Sequence, residues 1–483
     1  MATIKNASAQ VVSLPVSGGS PAIATTTRHR WMLPLLLVGQ AMAAMDTSIV
    51  NVAAPALRQD LGISGALLQM VVAGYVLAYA VFLVSGARLG DDYGYRKLFV
   101  IGVSIFTASS LVCGLAPFTS LLVVGRVIQG LGAALMVPQV LSLIQRHFEG
   151  AERARAIGYY SMILGMGSAL GQLLGGAIIT VNILGSSWRP AFLINVPIGL
   201  ALLCYAGSVL PDTRGKDKRK LDIVGVIALT LSMLLIVVPL IFGQEVDWQS
   251  WTWISMGFGV LGLIVFGLFE KMLARRGGNP LINLDAVFAP GVRIGLLVVS
   301  IGFIGYGGWL FVIALYLQSG LGFSPMISGF VFTAYALGFG LSNLHWSKLP
   351  ARLLRWTPTA AFIAMATANL LFGVAALHWG WKMAAMLPLL FVAGSSHGLS
   401  FGTVVNQMTG YVPPAQAPAL SGLVTTTVQL SIVIGIATLG TLYFAVLKAG
   451  SAASGISWVN FTVAAGATLA AVCSVQFAMR RRA

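Results

Sequence analysis

The chain has 483 residues, of which 57% are apolar and only 9% charged. Soluble domains carry roughly a quarter charged residues, so this chain could not clothe a water-exposed surface. A net charge of +16 would suit nucleic acid, but the positions of the basic residues exclude that reading, as set out below.

Residues 1–30 are rich in Ser, Thr and Ala and lack the apolar core of a signal peptide, which predicts a disordered cytoplasmic tail. Apolar spans follow near 31–53, 67–89, 98–117, 120–144, 156–180 and 190–210. Each is long enough to cross a hydrocarbon core of about 30 Å. A charged stretch, 211–221, then breaks the pattern as a cytoplasmic linker. Two further spans, near 222–243 and 252–270, form a hairpin (222–270) with an outer turn from Gln244 to Trp251. A second linker, 271–293, carries Arg275, Arg276, Gly277, Gly278 and Pro280. The last six spans lie near 294–318, 327–346, 357–378, 384–407, 420–446 and 458–478, ahead of a basic tail, 479–483. The prediction is an all-α integral membrane protein of about fourteen spans. It comprises an N-terminal six-helix bundle (31–210), an inserted hairpin and a C-terminal six-helix bundle (294–478). Paired six-helix halves are a transporter plan, with the cargo path at their interface.

Alternate connections hold 24 of the 29 Lys and Arg residues, while Arg58, Arg189, Lys382 and Lys448 fall on the other side and Arg126 falls inside a span. This split follows the positive-inside rule and places both termini in the cytoplasm, in the inner (plasma) membrane. The basic excess therefore meets anionic lipid headgroups and does not grip nucleic acid. Cys113, Cys204 and Cys473 all lie in apolar spans, with neither disulfide nor metal-ligand spacing. No Walker-type Gly-x-x-x-x-Gly-Lys-(Ser/Thr) is present, which points away from ATP and from enzyme chemistry and toward an ion gradient.

Four segments carry more specific chemistry. Gly86-Ala-Arg-Leu-Gly90-Asp91-Asp-Tyr-Gly94-Tyr-Arg96-Lys97 packs charges and turn-forming glycines into a short cytoplasmic loop between the second and third spans. Arg126-Val-Ile-Gln129-Gly130 lies in the fourth span, and Gly167, Gly171, Gly175 and Gly176 run along the fifth. Asp46-Thr-Ser-Ile-Val-Asn51-Val-Ala-Ala-Pro55 closes the first, and Trp188-Arg189-Pro-Ala-Phe192-Leu-Ile-Asn195 enters the sixth. Together these closely resemble the major facilitator superfamily, in particular its fourteen-span drug–proton antiporter branch. Gly86, Gly90, Asp91, Gly94, Arg96 and Lys97 match that family's gating-loop signature, Arg126, Gln129 and Gly130 its fourth-span motif, and Asp46 to Pro55 its first-span motif. The resemblance implies proton-coupled efflux of lipophilic or amphipathic molecules, such as antibiotics or toxic metabolites, by alternating access. Two departures stand out. Gln172 follows Gly171 where the family places Pro, which removes an expected kink, and the second-half copy of the loop, near 338–355, has no acid.

No Asp or Glu occurs beyond Asp285, and Asp46 is the one acid placed well within a predicted span. An ionised carboxylate there costs several kcal/mol unless paired, so it is structural or functional. We expect Asp46 to titrate and Arg126 to bias it, because a carboxylate beside a movable guanidinium gains or loses its proton as the distance changes. The contrasting reading is a static buried ion pair that only orients helices. Asp91 is expected to lock the bundle interface through a charge on a neighbouring helix. Asn51, Gln129 and His397 are candidates for the substrate path, as are Trp309 and Tyr335 among the aromatics. Gln139, Asn195, Asn406 and Gln407 line it or tie helix to helix. The glycines of the fifth span serve close packing during rocking. The expected partners are a small-molecule substrate and membrane lipids, the expected state is a monomer, and the proton is the coupling ion with no cofactor. A single acid suits neutral, monocationic or zwitterionic cargo. Alternatives are a carrier of one metabolite or organic anion, with Arg126 as its contact, and a non-transporting receptor or scaffold.

Overall fold

In a computed structural model the described residues are 22–182, 185–214, 222–281, 287, 289–378, 382–413 and 417–480, and every regular element among them is helical. A lipid-facing backbone must satisfy its own polar groups, and helices do so within one segment. The membrane-length helices are α1 (Ala22–Leu61), α2 (Gly65–Tyr93), α3 (Tyr95–Leu115), α4 (Thr119–His147), α5 (Gly150–Val181) and α6 (Pro190–Val209). The inserted pair is α7 (Ile223–Phe242) and α8 (Ser250–Arg275). The second set is α9 (Pro290–Leu315, with one π-helical turn to Gly320), α10 (Pro325–His345), α11 (Thr357–His378), α12 (Met383–Thr409), α13 (Ala417–Ala449) and α14 (Ala452–Arg480). Thirteen are long and apolar enough to cross a bilayer, and α5 makes a fourteenth when its two halves count as one span.

Local chemistry fixes the helix ends. Ser64 caps α2 by accepting from the Leu67 N–H at 3.2 Å, and Asp222 caps α7 by accepting from Gly225 at 2.8 Å. Gly94 joins α2 to α3 as a one-residue corner with φ of +102°, a conformation that side-chain-bearing residues avoid. The expected tail over 1–30 is corrected for 22–30, which are helical. Once the apolar helix has nucleated, each added residue gains a hydrogen bond. Residues 1–21 lie outside the described residues. So do 215–221 of the first linker, 282–286 and 288 of the second, and 481–483 of the tail. Met166–Val181 runs unbroken through Gln172, while α5 bends by 43° further back, between Gly150–Leu164 and Met166–Val181. Glycine and serine lie around that bend (Gly165, Gly167, Ser168), a composition that loosens a helix.

The packing repeats. In the first set α4 lies against α2 and α3, while α1 lies against α5 and α6. In the second set α12 lies against α10 and α11, and α9 against α13 and α14. Glycines bring backbones together at equivalent places. A Cβ on Gly86 or Gly130 would strike the Ala134 or Tyr75 carbonyl across the α2–α4 contact. One on Gly394 or Gly398 would strike the Tyr335 or Phe339 carbonyl across α10–α12.

The two sets meet along two seams, α5–α10 and α2–α13. At the first, Gly176 faces Pro325, Gly329 faces Gln172, and the Met326 N–H donates to Thr180 at 3.0 Å. At the second, Gly65 packs on Phe444 and the Thr441 hydroxyl donates to Gln69 at 3.3 Å. Gln318 adds a bond to the Val52 carbonyl at 3.0 Å. These contacts all lie in the half remote from the basic loops.

Candidate functional site

Five helices of the first set converge on one charge pair. Arg126 of α4 donates to the Asp46 carboxylate of α1 at 2.5 Å, and neither side chain is exposed. The other carboxylate oxygen accepts from Gln129 at 2.8 Å and from Asn195 of α6 at 2.9 Å. Gln129 also donates to Ser110 of α3 at 2.7 Å and accepts from Arg126 at 2.7 Å. The Arg126 Nε donates to the Val71 carbonyl of α2 at 3.1 Å, and the guanidinium sits 4.3 Å from the centre of the Tyr75 ring. Charge-assisted bonds on both oxygens compensate burial that would otherwise exclude an ionised group. One nitrogen of Arg126, Nη2, finds no hydrogen-bond partner among the described residues, so the network has one open donor.

The glycines of α5 meet this site from the other side of α1. Cβ atoms on Gly167, Gly171 and Gly175 would collide with Ala44, Ser48 and Ile49, the turns of α1 that carry Asp46. Gln172 donates to the Ser48 carbonyl at 3.3 Å, a link that proline there could not make. Gly176 faces α10 instead.

In the second set, Tyr335 shares a 2.7 Å hydrogen bond with the His397 Nδ1. The Trp309 and Tyr335 rings stack at 5.0 Å, with Phe332 and Tyr306 stacked on Tyr335 at 5.9 and 5.8 Å. Phe303 and Phe339 stand edge-on to the imidazole. The His397 Nε2 is buried without a hydrogen-bond partner among the described residues, which costs about 1–3 kcal/mol. Tyr306 is only partly buried and is the accessible side of the stack.

The expected loop over 86–97 is instead the last turns of α2 and the first of α3 about Gly94, because the polar residues continue both helices. Its charges pair within their own bundle. Asp91 lies 3.6 Å from Arg146 of α4 and accepts from the Tyr95 hydroxyl. Arg96 lies 3.2 Å from Asp212. Lys97 begins the exposed side of α3. A Cβ on Gly90 would meet Gln139, which donates to the Gly86 carbonyl at 2.8 Å. Gln139 therefore ties helices, and Gln407 does the same through the Leu354 carbonyl. Asn51 stays on its own helix, bonded to Thr47 and Ser48, and Asn406 is exposed.

Sequence reasoning missed other polar groups. Ser110 is one of many hydroxyls in apolar runs, and nothing local marks it. Glu270 is fully buried in α8, where its Oε1 and the Asp222 carboxylate both lie beside Gly225. The inserted hairpin also bridges the two halves. Thr441 of α13 donates to the Leu240 carbonyl of α7 at 2.9 Å, and Glu245 accepts from the Ala66 N–H of α2 at 3.2 Å.

Two repeated six-helix sets, closed against each other at one end, with buried polar groups in their interiors, define a secondary-transporter architecture. The chain belongs to the Major Facilitator Superfamily, whose family model matches residues 36–436. It is 34% identical over 442 residues to a probable actinorhodin transporter of Streptomyces coelicolor, covering 88% of this chain and 74% of that one. It is 32% identical over 426 residues to the cephamycin export protein CmcT of Amycolatopsis lactamdurans, covering 85% and 84%. The multidrug resistance protein Stp of Mycobacterium tuberculosis is 29% identical over 414 residues, covering 85% and 75%. The fold is shared with the inward-open xylose transporter XylE of E. coli, at a TM-score of 0.63 and 14% identity over 93% of this chain and 96% of that one. The protein is thus a membrane transporter of small molecules and not an enzyme, and its relatives are named for drug and antibiotic transport.

Proposed function

We propose that this chain is a proton-coupled exporter of lipophilic or amphipathic small molecules, antibiotics or toxic metabolites among them. It works by alternating access in the cytoplasmic membrane, with both termini inside. The single observation that carries the coupling is the Asp46–Arg126 pair, with no exposed surface and bonds to α2 and α6 and, through Gln129, to α3. In the conformation described, the pair is sealed. Proton exchange therefore belongs to the opposite conformation, reached when α5 slides on its glycines over the turns of α1 that carry Asp46. Moving the carboxylate away from Arg126 favours its protonated form, and restoring the contact expels the proton. Arg126 is neutralised by Asp46, which disfavours the organic-anion reading. Proton flux measured with a pH dye in proteoliposomes, with and without cargo, tests the coupling. Cargo export that leaves internal pH untouched would refute it.

With the basic loops cytoplasmic, the seam contacts form an outer seal and the conformation is inward-facing. The hairpin reinforces that seal through Leu240 and Glu245. Thr441→Val combined with Glu245→Ala should raise the outward-open population, read as a longer spin-label distance between positions 61 and 448. An unchanged distribution would remove the hairpin from gating.

The aromatic stack supports a planar cargo. His397→Phe should raise KM for planar aromatic drugs several-fold while sparing kcat. An unchanged KM assigns His397 to the core.

A further inference from the structure

A cavity of about 460 Å³ lies at the flank of the first bundle, beside the inserted pair. It lies between Phe82 and Leu89 of α2, Leu131 and Leu135 of α4, and Val226 and Ile227 of α7. Its size falls within the range of about 300–1,000 Å³ typical of small-molecule sites. Almost all of its lining is apolar, so it would stay dry, and an empty cavity would forfeit the dispersion contacts of its walls. The first turns of α7 beside it are more than half exposed at Ile223 and Ile227. Since α7 is a membrane-length helix, the medium at that opening is bilayer hydrocarbon.

Two polar groups line the cavity. Thr230 donates to the Val226 carbonyl at 2.7 Å, within its own helix. Ser85, 3% exposed, has a hydroxyl with no hydrogen-bond partner among the described residues. A buried hydroxyl without a partner in an oily pocket calls for a ligand that is mostly hydrocarbon and carries an acceptor oxygen. Behind the cavity, α2 and α4 touch backbone to backbone, because Gly86 lies against the Ala134 carbonyl and Gly130 against the Tyr75 carbonyl. That wall leaves no passage to the bundle interior, which argues for a resident ligand over transported cargo.

We propose that this cavity binds the acyl chain of a bilayer phospholipid, with Ser85 donating to its ester carbonyl. The lipid wedges the inserted helix α7 against the end of α2 that leads into the gating loop. The test uses the full chain in proteoliposomes that contain a phosphatidylcholine or phosphatidylglycerol with a photoactivatable diazirine in its acyl chain, followed by mass spectrometry of labelled peptides. Peptides spanning 82–89 and 223–231 should be labelled several-fold more than the open bilayer face of α8 around Phe258 and Ile264. Thr230→Trp, which fills the cavity, should remove that excess, and Ser85→Ala should reduce it. Leu268→Trp, on the exposed face of α8, should leave it intact. A melting temperature shared with the parent separates cavity filling from misfolding. Labelling no greater than at the α8 face overturns the proposal, as does an excess that persists in Thr230→Trp. Displacement of the label by a transported drug overturns it as well, because the cavity would then belong to cargo.

Discussion

Asp46→Asn should abolish transport driven by a pH gradient while the protein still reaches the membrane and binds cargo. Asparagine keeps the volume and an acceptor for Arg126 but cannot exchange a proton. It also leaves Arg126 without a counter-charge, so some loss of stability accompanies the change. The uncoupled reaction separates the two roles. Downhill cargo equilibration across vesicles without a pH gradient should persist, and cargo-driven proton movement should vanish. Gradient-driven export at the parental rate would show that Asp46 is no part of coupling.

Arg126→Leu should have the larger effect on folding. Removing one partner of a buried ion pair strands the other charge, at a cost of about 3–5 kcal/mol. Since domain stabilities are of the order of 5–15 kcal/mol, the variant should melt much earlier or fail to accumulate. The double variant Asp46→Asn with Arg126→Leu contains no stranded charge and should recover most of the melting temperature, because the two losses share one interaction. Its transport decides between the two readings of the pair. A static helix-orienting bridge predicts that restored folding restores export, whereas a titrating site predicts folded protein that does not couple. Size-exclusion profiles and melting curves of the four variants in detergent, beside export assays, provide the measurement.

The fold was legible because hydrocarbon imposes a simple demand that sequence displays openly. Long apolar runs, spaced by alternately basic connections, had to become spanning helices. The Asp46–Arg126 pairing was legible for a related reason, since two rare charges inside apolar spans had few ways to be accommodated. Gln129 and Asn195 were marked as polar residues in apolar spans, but their bonds to Asp46 were not, and Ser110 was not marked at all. Asn195 and Ser110 enter through the angles at which α6 and α3 cross α1 and α4, and crossing angles leave little trace in a hydropathy pattern. The burial of Glu270 near a helix end left no mark in the sequence, since it depends on packing against Gly225 of another helix. The bend of α5 near position 165 was not foreseen, because no proline marks it and a glycine–serine stretch carries it. The hairpin's grip on both halves joins positions 66 and 245 and positions 240 and 441, pairings that no local motif encodes.

The position of that hairpin breaks the equivalence of the molecule's two flanks. A carrier of two matching halves would offer the surrounding lipid a pair of similar side doors. Here α7 packs against both α2 and α13, whereas among the described residues the α5–α10 seam has no comparable contact with the inserted pair. Under the proposed export function, greasy compounds dissolved in the leaflet would meet an uncovered seam only at that second flank.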